Sequence, residues 1–273
     1  MKFDYDAQYF NPAHTLECGQ VFRFKPFGDG YTVLSADKEC YVYTDGVKTV
    51  IDTDSPDYFR RYFDLERDYR EIVEKAKSYN IPMLSRSAEI CKGLRILNQN
   101  REEMIFSFII SQNNNIPRIK GIIERICSAL GERRENGRGE YYAFPSALKI
   151  AQAGADFFRS AGAGYRDVFL AETGARIAKE GITDLESLDG AKLKTALLTY
   201  KGIGPKVADC IALFGFGKCG SFPVDTWIER VYREDFSGTL TNRVKISEYF
   251  TSLFKEYSGY IQQYLFYGKR LNL

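Results

Sequence analysis

Two hydrophobic periodicities divide the chain. In the first part, apolar residues fall in short runs at 21–25, 31–35, 40–44 and 47–51, punctuated by Gly28-Asp29-Gly30, Ala36-Asp37-Lys38 and Asp45-Gly46. Runs of this length between turn residues read as strands, and an Asp-Gly pair between two of them is a strong hairpin signal. They predict an antiparallel sheet, joined by helices that begin near Ser55-Pro56 and run to about Ser78. From Glu102 onward the apolar spacing is helical, with glycine-containing breaks at 131–139, 162–164, 181, 202–204 and 215–220. The pattern predicts an α+β protein. Residues 1–99 form an N-terminal antiparallel sheet domain with flanking helices, and residues 100–273 an all-α domain.

Composition narrows the function only a little. A chain of 273 residues has room for two domains and a large buried core. Its 38 basic and 36 acidic residues nearly cancel, so any polyanion must be met by a local basic surface. One local bias exists: Lys192, Lys194, Lys201 and Lys206 lie between Ala191 and Lys206 with no acid among them. A solvated helix face has the same look. Arg133, Arg134 and Arg138 in the first break read as a mobile polar loop, with DNA contact as the alternative. The cysteines Cys18, Cys40, Cys91, Cys127, Cys210 and Cys219 are too scattered for a zinc or iron–sulfur site and read as reduced core residues. His14, the single histidine, cannot form a His-based metal cluster. No metal and no cofactor are expected. Without a signal-like N-terminus or a membrane-length apolar run, the expectation is a soluble, cytoplasmic monomer without a membrane partner.

The chemistry concentrates in Tyr200-Lys201-Gly202-Ile203-Gly204-Pro205-Lys206-Val207-Ala208-Asp209-Cys210, followed by Asp225 in Phe222-Pro223-Val224-Asp225. A glycine hairpin near 196–214 joins two apolar helical runs and exposes N–H groups at a helix start, a geometry suited to a phosphate oxygen. Gly202 and Gly204 permit positive φ and a close backbone approach. Pro205 suits the first helical position, where its missing N–H costs nothing. Lys206 then falls in the first turn, where the helix dipole disfavours a positive charge and favours the neutral amine that a nucleophile needs. Asp225 lies within one helix and a turn of it. Alternatively, the hairpin is a binding-only module in which Lys206 contacts a phosphate and Asp225 caps the next helix.

Three further clusters stand beside the hairpin. Ser111-Gln112-Asn113-Asn114-Asn115-Ile116-Pro117-Arg118 joins two apolar helices; three asparagines and an arginine exceed what a cap requires. Ala163-Gly164-Tyr165-Arg166 opens a helix with an aromatic side chain that suits a wedge in a duplex. On the last helical run, Gln262 and Phe266 of Gly259-Tyr260-Ile261-Gln262-Gln263-Tyr264-Leu265-Phe266 share a face at i, i+4 spacing.

Together with Cys18-Gly19-Gln20-Val21-Phe22-Arg23, these motifs resemble the 8-oxoguanine DNA glycosylases of the helix-hairpin-helix superfamily, over nearly the whole chain. The resemblance implies that Lys206 is the catalytic lysine and Asp225 the catalytic aspartate of a glycosylase with lyase activity on damaged double-stranded DNA. It implies that Asn113, Arg118 and Arg166 read the cytosine left behind and that Tyr165 is the wedge. Gly202 and Gly204 belong to the hairpin on the DNA backbone, and Gly19, Cys210, Gln262 and Phe266 line the pocket for the extruded base. A glycosylase for alkylated bases and a non-catalytic hairpin protein are the alternatives. Two positions depart from the family pattern: Trp227 stands where many eukaryotic members have histidine, and Pro117 lies at a helix start beside the proposed readers.

Overall fold

The computed structural model describes residues 1–273. Strands β1 (Lys2–Asp6), β2 (Phe24–Phe27), β3 (Gly30–Ser35), β4 (Lys38–Asp45) and β5 (Lys48–Thr53) form one antiparallel sheet in the order β1-β5-β4-β3-β2. Alternation fixes its faces: Cys40 and Val42 of β4 point inward, whereas Tyr41 and Tyr43 stack outside with centroids 5.0 Å apart. Ser35 pairs with Lys38 and Asp45 with Lys48, leaving the two-residue turns Ala36-Asp37 and Gly46-Val47. The expected hairpin is therefore present, one residue later than Asp45-Gly46 suggested. Strand β2 starts at Phe24 rather than 21, because Val21 and Phe22 are buried in a segment without strand pairing.

The helices are α1 (Pro12–Glu17), α2 (Pro56–Tyr62), α3 (Tyr69–Ser78), α4 (Pro82–Ile90), α5 (Arg101–Ser111), α6 (Ile116–Leu130), α7 (Ala147–Ser160), α8 (Asp167–Glu180), α9 (Thr183–Glu186), α10 (Gly190–Leu197), α11 (Pro205–Phe214), α12 (Thr226–Glu234), α13 (Arg243–Phe254) and α14 (Ser258–Arg270). No helix is long and apolar enough to cross a membrane. Between α6 and α7 the chain forms a hairpin, β6 (Arg133–Asn136) with β7 (Gly139–Tyr142), which corrects the reading of this break as a mobile loop. Its arginines are occupied: Arg138 pairs with Glu39 at 2.5 Å and Asp52 at 3.4 Å, Arg133 with Glu140 at 2.5 Å, and Arg134 with Glu132 at 2.8 Å.

A small core that includes Phe10, Val33, Cys40, Val42, Ile51, Phe59 and Phe63 lies between the sheet and α2. A larger core joins Tyr69, Ile72 and Leu84 of α3 and α4 to the helices after residue 100, so packing runs across the compositional boundary. Arg95, fully buried, ties these parts. Its guanidinium donates to the carbonyls of Phe63 and Tyr9 at 2.8 Å each, of Arg67 at 3.1 Å and of Asp64, and lies 3.9 Å from the Tyr69 ring centroid.

Replacing Arg95 with methionine should destabilise the fold by about 3 kcal/mol or more, because it strands several buried carbonyls at once. Arg95→Lys should be nearly as damaging, since a compact ammonium cannot match the planar fork. Urea unfolding measures both; a loss below about 1 kcal/mol would mean that water already satisfies these carbonyls.

Candidate functional site

Gly204 is the N-cap of α11, Pro205 its first residue, and Lys206 follows in the first turn. Gly202, at φ +82°, makes the left-handed turn between α10 and α11. Gly204 departs from the expectation, since its φ of −89° is open to any residue; what it keeps is empty space around it. A half-buried ion pair links the two helices, with Lys194 of α10 at 2.8 Å from Asp209 of α11. Lys192 pairs with Asp189 at 3.3 Å and Lys201 with Glu172 at 2.6 Å. The lysine-rich run is therefore largely neutralised. Lys206 alone among its four lysines has no carboxylate partner; its Nζ lies 5.7 Å from the ring centroid of Phe108 on α5.

A small recess gathers Gly19, Phe108, Lys206, Cys210, Phe214, Pro223, Asp225, Gln262, Gln263 and Phe266. The six residues expected at the catalytic centre and base pocket thus converge from four distant segments. Asp225 is the N-cap of α12, its Oδ1 accepting from the Ile228 N–H at 3.0 Å. The cap reading is accordingly correct as far as it goes, and Oδ2 makes no hydrogen bond within the protein. Burial pushes the Cys210 thiol up to about 11, against the opposing pull of the Lys206 ammonium, so it forms a neutral wall. Gly19 sits at φ +86°, and a Cβ there would lie 3.5 Å from the Phe266 ring. Its carbonyl accepts no hydrogen bond within the protein. Gln262 is buried, its Nε2 donating to the Pro223 carbonyl at 3.3 Å while Oε1 has no partner. Phe108, Phe214, Pro223 and Gln263 were not singled out by sequence; for Gln263 the signal was its place beside Gln262.

The other expected residues lie outside this recess. Asn114 bonds the Ile110 carbonyl at 3.0 Å, and Asn115 caps α6 through the Arg118 N–H at 3.0 Å. Asn113, exposed and at φ +43°, is the asparagine whose side chain neither caps nor folds back. Arg118 is exposed, with Nη2 at 3.3 Å from the Gly162 carbonyl. Arg166 differs from the expectation of an open reader. It is 2% exposed, and its guanidinium donates to the carbonyls of Gln112, Asn113 and Ala163. In this geometry it clamps the Asn113 loop to the Tyr165 segment. Tyr165 is 55% exposed, its ring 4.3 Å beneath that guanidinium and edge-on to Phe169. Phe169 also packs against Gly202, so the hairpin, Tyr165 and the asparagine loop are mechanically joined. Trp227 is partly exposed in the first turn of α12.

Comparisons with known proteins agree on the relatives. The family profile "8-oxoguanine DNA glycosylase, N-terminal domain" matches residues 2–105. The N-glycosylase/DNA lyase OGG1 of Arabidopsis thaliana is 34% identical over 199 residues, 68% of this chain and 54% of that protein. The probable N-glycosylase/DNA lyase of Methanothermobacter thermautotrophicus is 31% identical over 225 residues, 75% of this chain and 70% of that one. Among solved structures, the 8-oxoguanine glycosylase/lyase of Clostridium acetobutylicum, in complex with double-stranded DNA containing cytosine opposite 8-oxoguanine, superposes with a TM-score of 0.92. It is 33% identical and covers 100% of this chain and 98% of its own.

The two hairpin glycines should respond differently to substitution. Gly202→Ala adds left-handed strain and a Cβ 2.6 Å from Phe169 Cγ, so we expect a loss of about 1–3 kcal/mol in stability and weaker duplex binding. Gly204→Ala, with open space, should cost less than about 0.5 kcal/mol and act on duplex binding alone. Thermal unfolding and duplex titration separate the effects; equal stability losses would defeat the geometric argument.

Proposed function

The chain belongs to the 8-oxoguanine DNA glycosylase family of N-glycosylase/DNA lyases, and from that premise we propose that it excises 8-oxoguanine from duplex DNA and nicks the strand by β-elimination. The observation that carries the reading is Lys206: an amine without a carboxylate partner, in the wall of a recess that Asp225 also lines. The damaged nucleotide is first extruded, because the sugar C1′ is inaccessible inside a stacked duplex. The neutral amine of Lys206 attacks C1′ as the bond to the base breaks, and opening of the sugar gives a protonated Schiff base. Asp225, through its free Oδ2, stabilises the positive charge developing on the sugar and takes part in deprotonating the amine. Loss of a 2′ proton then expels the 3′ phosphate. These steps call on no metal and no organic cofactor.

Lesion recognition falls to the free carbonyl of Gly19. 8-Oxoguanine carries a proton at N7, whereas guanine presents a lone pair there. An acceptor left unpaired against guanine costs about 1–3 kcal/mol, which supplies up to about two decades of discrimination. Phe266 and the Cys210 side stack on the base without distinguishing it. Asn113, Arg118 and Tyr165 face the opposite strand and the gap. Arg166 joins them once its loop carbonyls release it; until then it positions the loop. The partner is damaged double-stranded DNA, met by a monomer in the cytoplasm at the nucleoid.

Lys206→Gln should abolish base release and borohydride trapping while leaving lesion-duplex binding within roughly tenfold, about 1.4 kcal/mol. Trapping that persists would assign the chemistry to another amine. Asparagine replaces aspartate well as an N-cap, so Asp225→Asn isolates the charge: single-turnover release should fall at least about a hundredfold. A near-normal rate would reduce Asp225 to the cap of α12. Arg118→Ala should weaken binding to lesion–cytosine duplexes more than to lesion–adenine duplexes, by about 1–3 kcal/mol. Equal losses opposite all four bases would instead make it a phosphate contact.

A further inference from the structure

Two polar side chains in the recess, Gln262 and Gln263, have no part in the steps above. Gln263, next to Gln262 on α14, is 3% exposed, and its Oε1 is buried without a hydrogen-bond partner. The Oε1 of Gln262 is unpaired too, although its Nε2 is held by Pro223. Buried polar atoms are almost always satisfied, so two neighbouring acceptors left open in one cavity point to a ligand that brings two donors. Guanine-type bases present such a pair, N1–H beside the 2-amino group. Adenine-type bases present an acceptor at N1, and hypoxanthine presents N1–H alone.

We propose that Gln263 is a second reader of the extruded base, accepting from its 2-amino group while Gln262 accepts from N1–H. The inference rests on the function proposed above. Gln262 lies four residues before Phe266, on the face of α14 that carries the stacking ring, and therefore meets the middle of the base edge. Gln263 is turned by about 100° around the helix axis, toward the flank of that edge. The recess then applies two separate filters: the Gly19 carbonyl selects the oxidised purine ring, and the paired amides select the guanine-type edge.

The test is single-turnover release by the full chain from duplexes carrying 8-oxoguanine or 8-oxohypoxanthine, which lacks only the 2-amino group. Wild type should release 8-oxoguanine about tenfold faster, because the other base leaves one acceptor open. Gln263→Met keeps the chain length and removes the acceptor. It should slow 8-oxoguanine about tenfold and leave 8-oxohypoxanthine within about twofold, collapsing the preference. Gln262→Met should slow both substrates alike. Equal slowing of both by Gln263→Met would reduce that residue to packing, and no change in either would mean that water satisfies its oxygen; each overturns the proposal. If the variant does not fold, the wild-type comparison still decides, since equal release of the two bases overturns it without any substitution. A wild-type chain inactive on 8-oxoguanine is a separate result, and removes the function on which the inference rests.

Discussion

The recess depends on a buried amide. Gln20 is fully enclosed between the segment after α1 and the segment before α5, and all its side-chain groups are used. Its Oε1 accepts from the Leu97 N–H at 2.9 Å, and its Nε2 donates to the carbonyls of Thr15 at 2.9 Å and Arg95 at 2.7 Å. Gln99 completes the lattice by donating to the Gln20 carbonyl at 2.8 Å. In a low-dielectric interior such a network is rigid when complete and costly when one member is missing. Gly19 precedes Gln20 and inherits that rigidity. The carbonyl assigned to lesion recognition is thus held in place by the seam between sheet and helices, not by the recess it faces. Arg95 anchors the same seam from the other side, through carbonyls before α1 and after α2.

This division of labour leaves the opposite wall free to adapt. Phe266 is only partly buried, with the Arg270 guanidinium 5.5 Å from its ring centroid. The space a side chain at residue 19 would occupy is bounded by that ring and by the Arg270 guanidinium, each at 3.5 Å. A ring at the edge of a helix is cheap to displace, whereas the carbonyl across from it is fixed. The selectivity proposed for Gly19 calls for that asymmetry, since an acceptor that followed the base would also accommodate guanine.

Much of the site was legible because its signals are local. Glycine at a left-handed turn, proline at a helix start, and a carboxylate able to cap are requirements of a few consecutive residues, and Gly202, Pro205, Lys206 and Asp225 fulfil them where the sequence placed them. What sequence misjudged depends on distant partners. The run from Lys192 to Lys206 looked basic until Asp189, Asp209 and Glu172 were found beside three of its lysines. Arg138 looked free in a polar break, but Glu39 lies ninety-nine residues away in sequence and 2.5 Å away in space. Arg166, expected in the open, is buried on loop carbonyls that no spacing rule reveals. Strand β1 escaped notice although it alternates at every position, because its five residues include only two apolar ones, Phe3 and Tyr5.

With those lysines paired, the contact with DNA proposed above rests on directed groups of the hairpin and of the loops beside it. The hairpin before α11, the Asn113 loop and Tyr165 are coupled through Phe169 and Arg166, which on the function proposed above spaces them for a duplex. Lys206 is the exception that matters. A bonded carboxylate would keep the proton on an amine, and the neighbouring lysines show that this hairpin readily supplies such partners. At Lys206 it supplies an aromatic ring, a protonated thiol and, across the recess, a carboxylate already engaged in capping α12. Asp225 lines the same recess and forms no ion pair with Lys206, the arrangement that the attack on a sugar proposed above calls for.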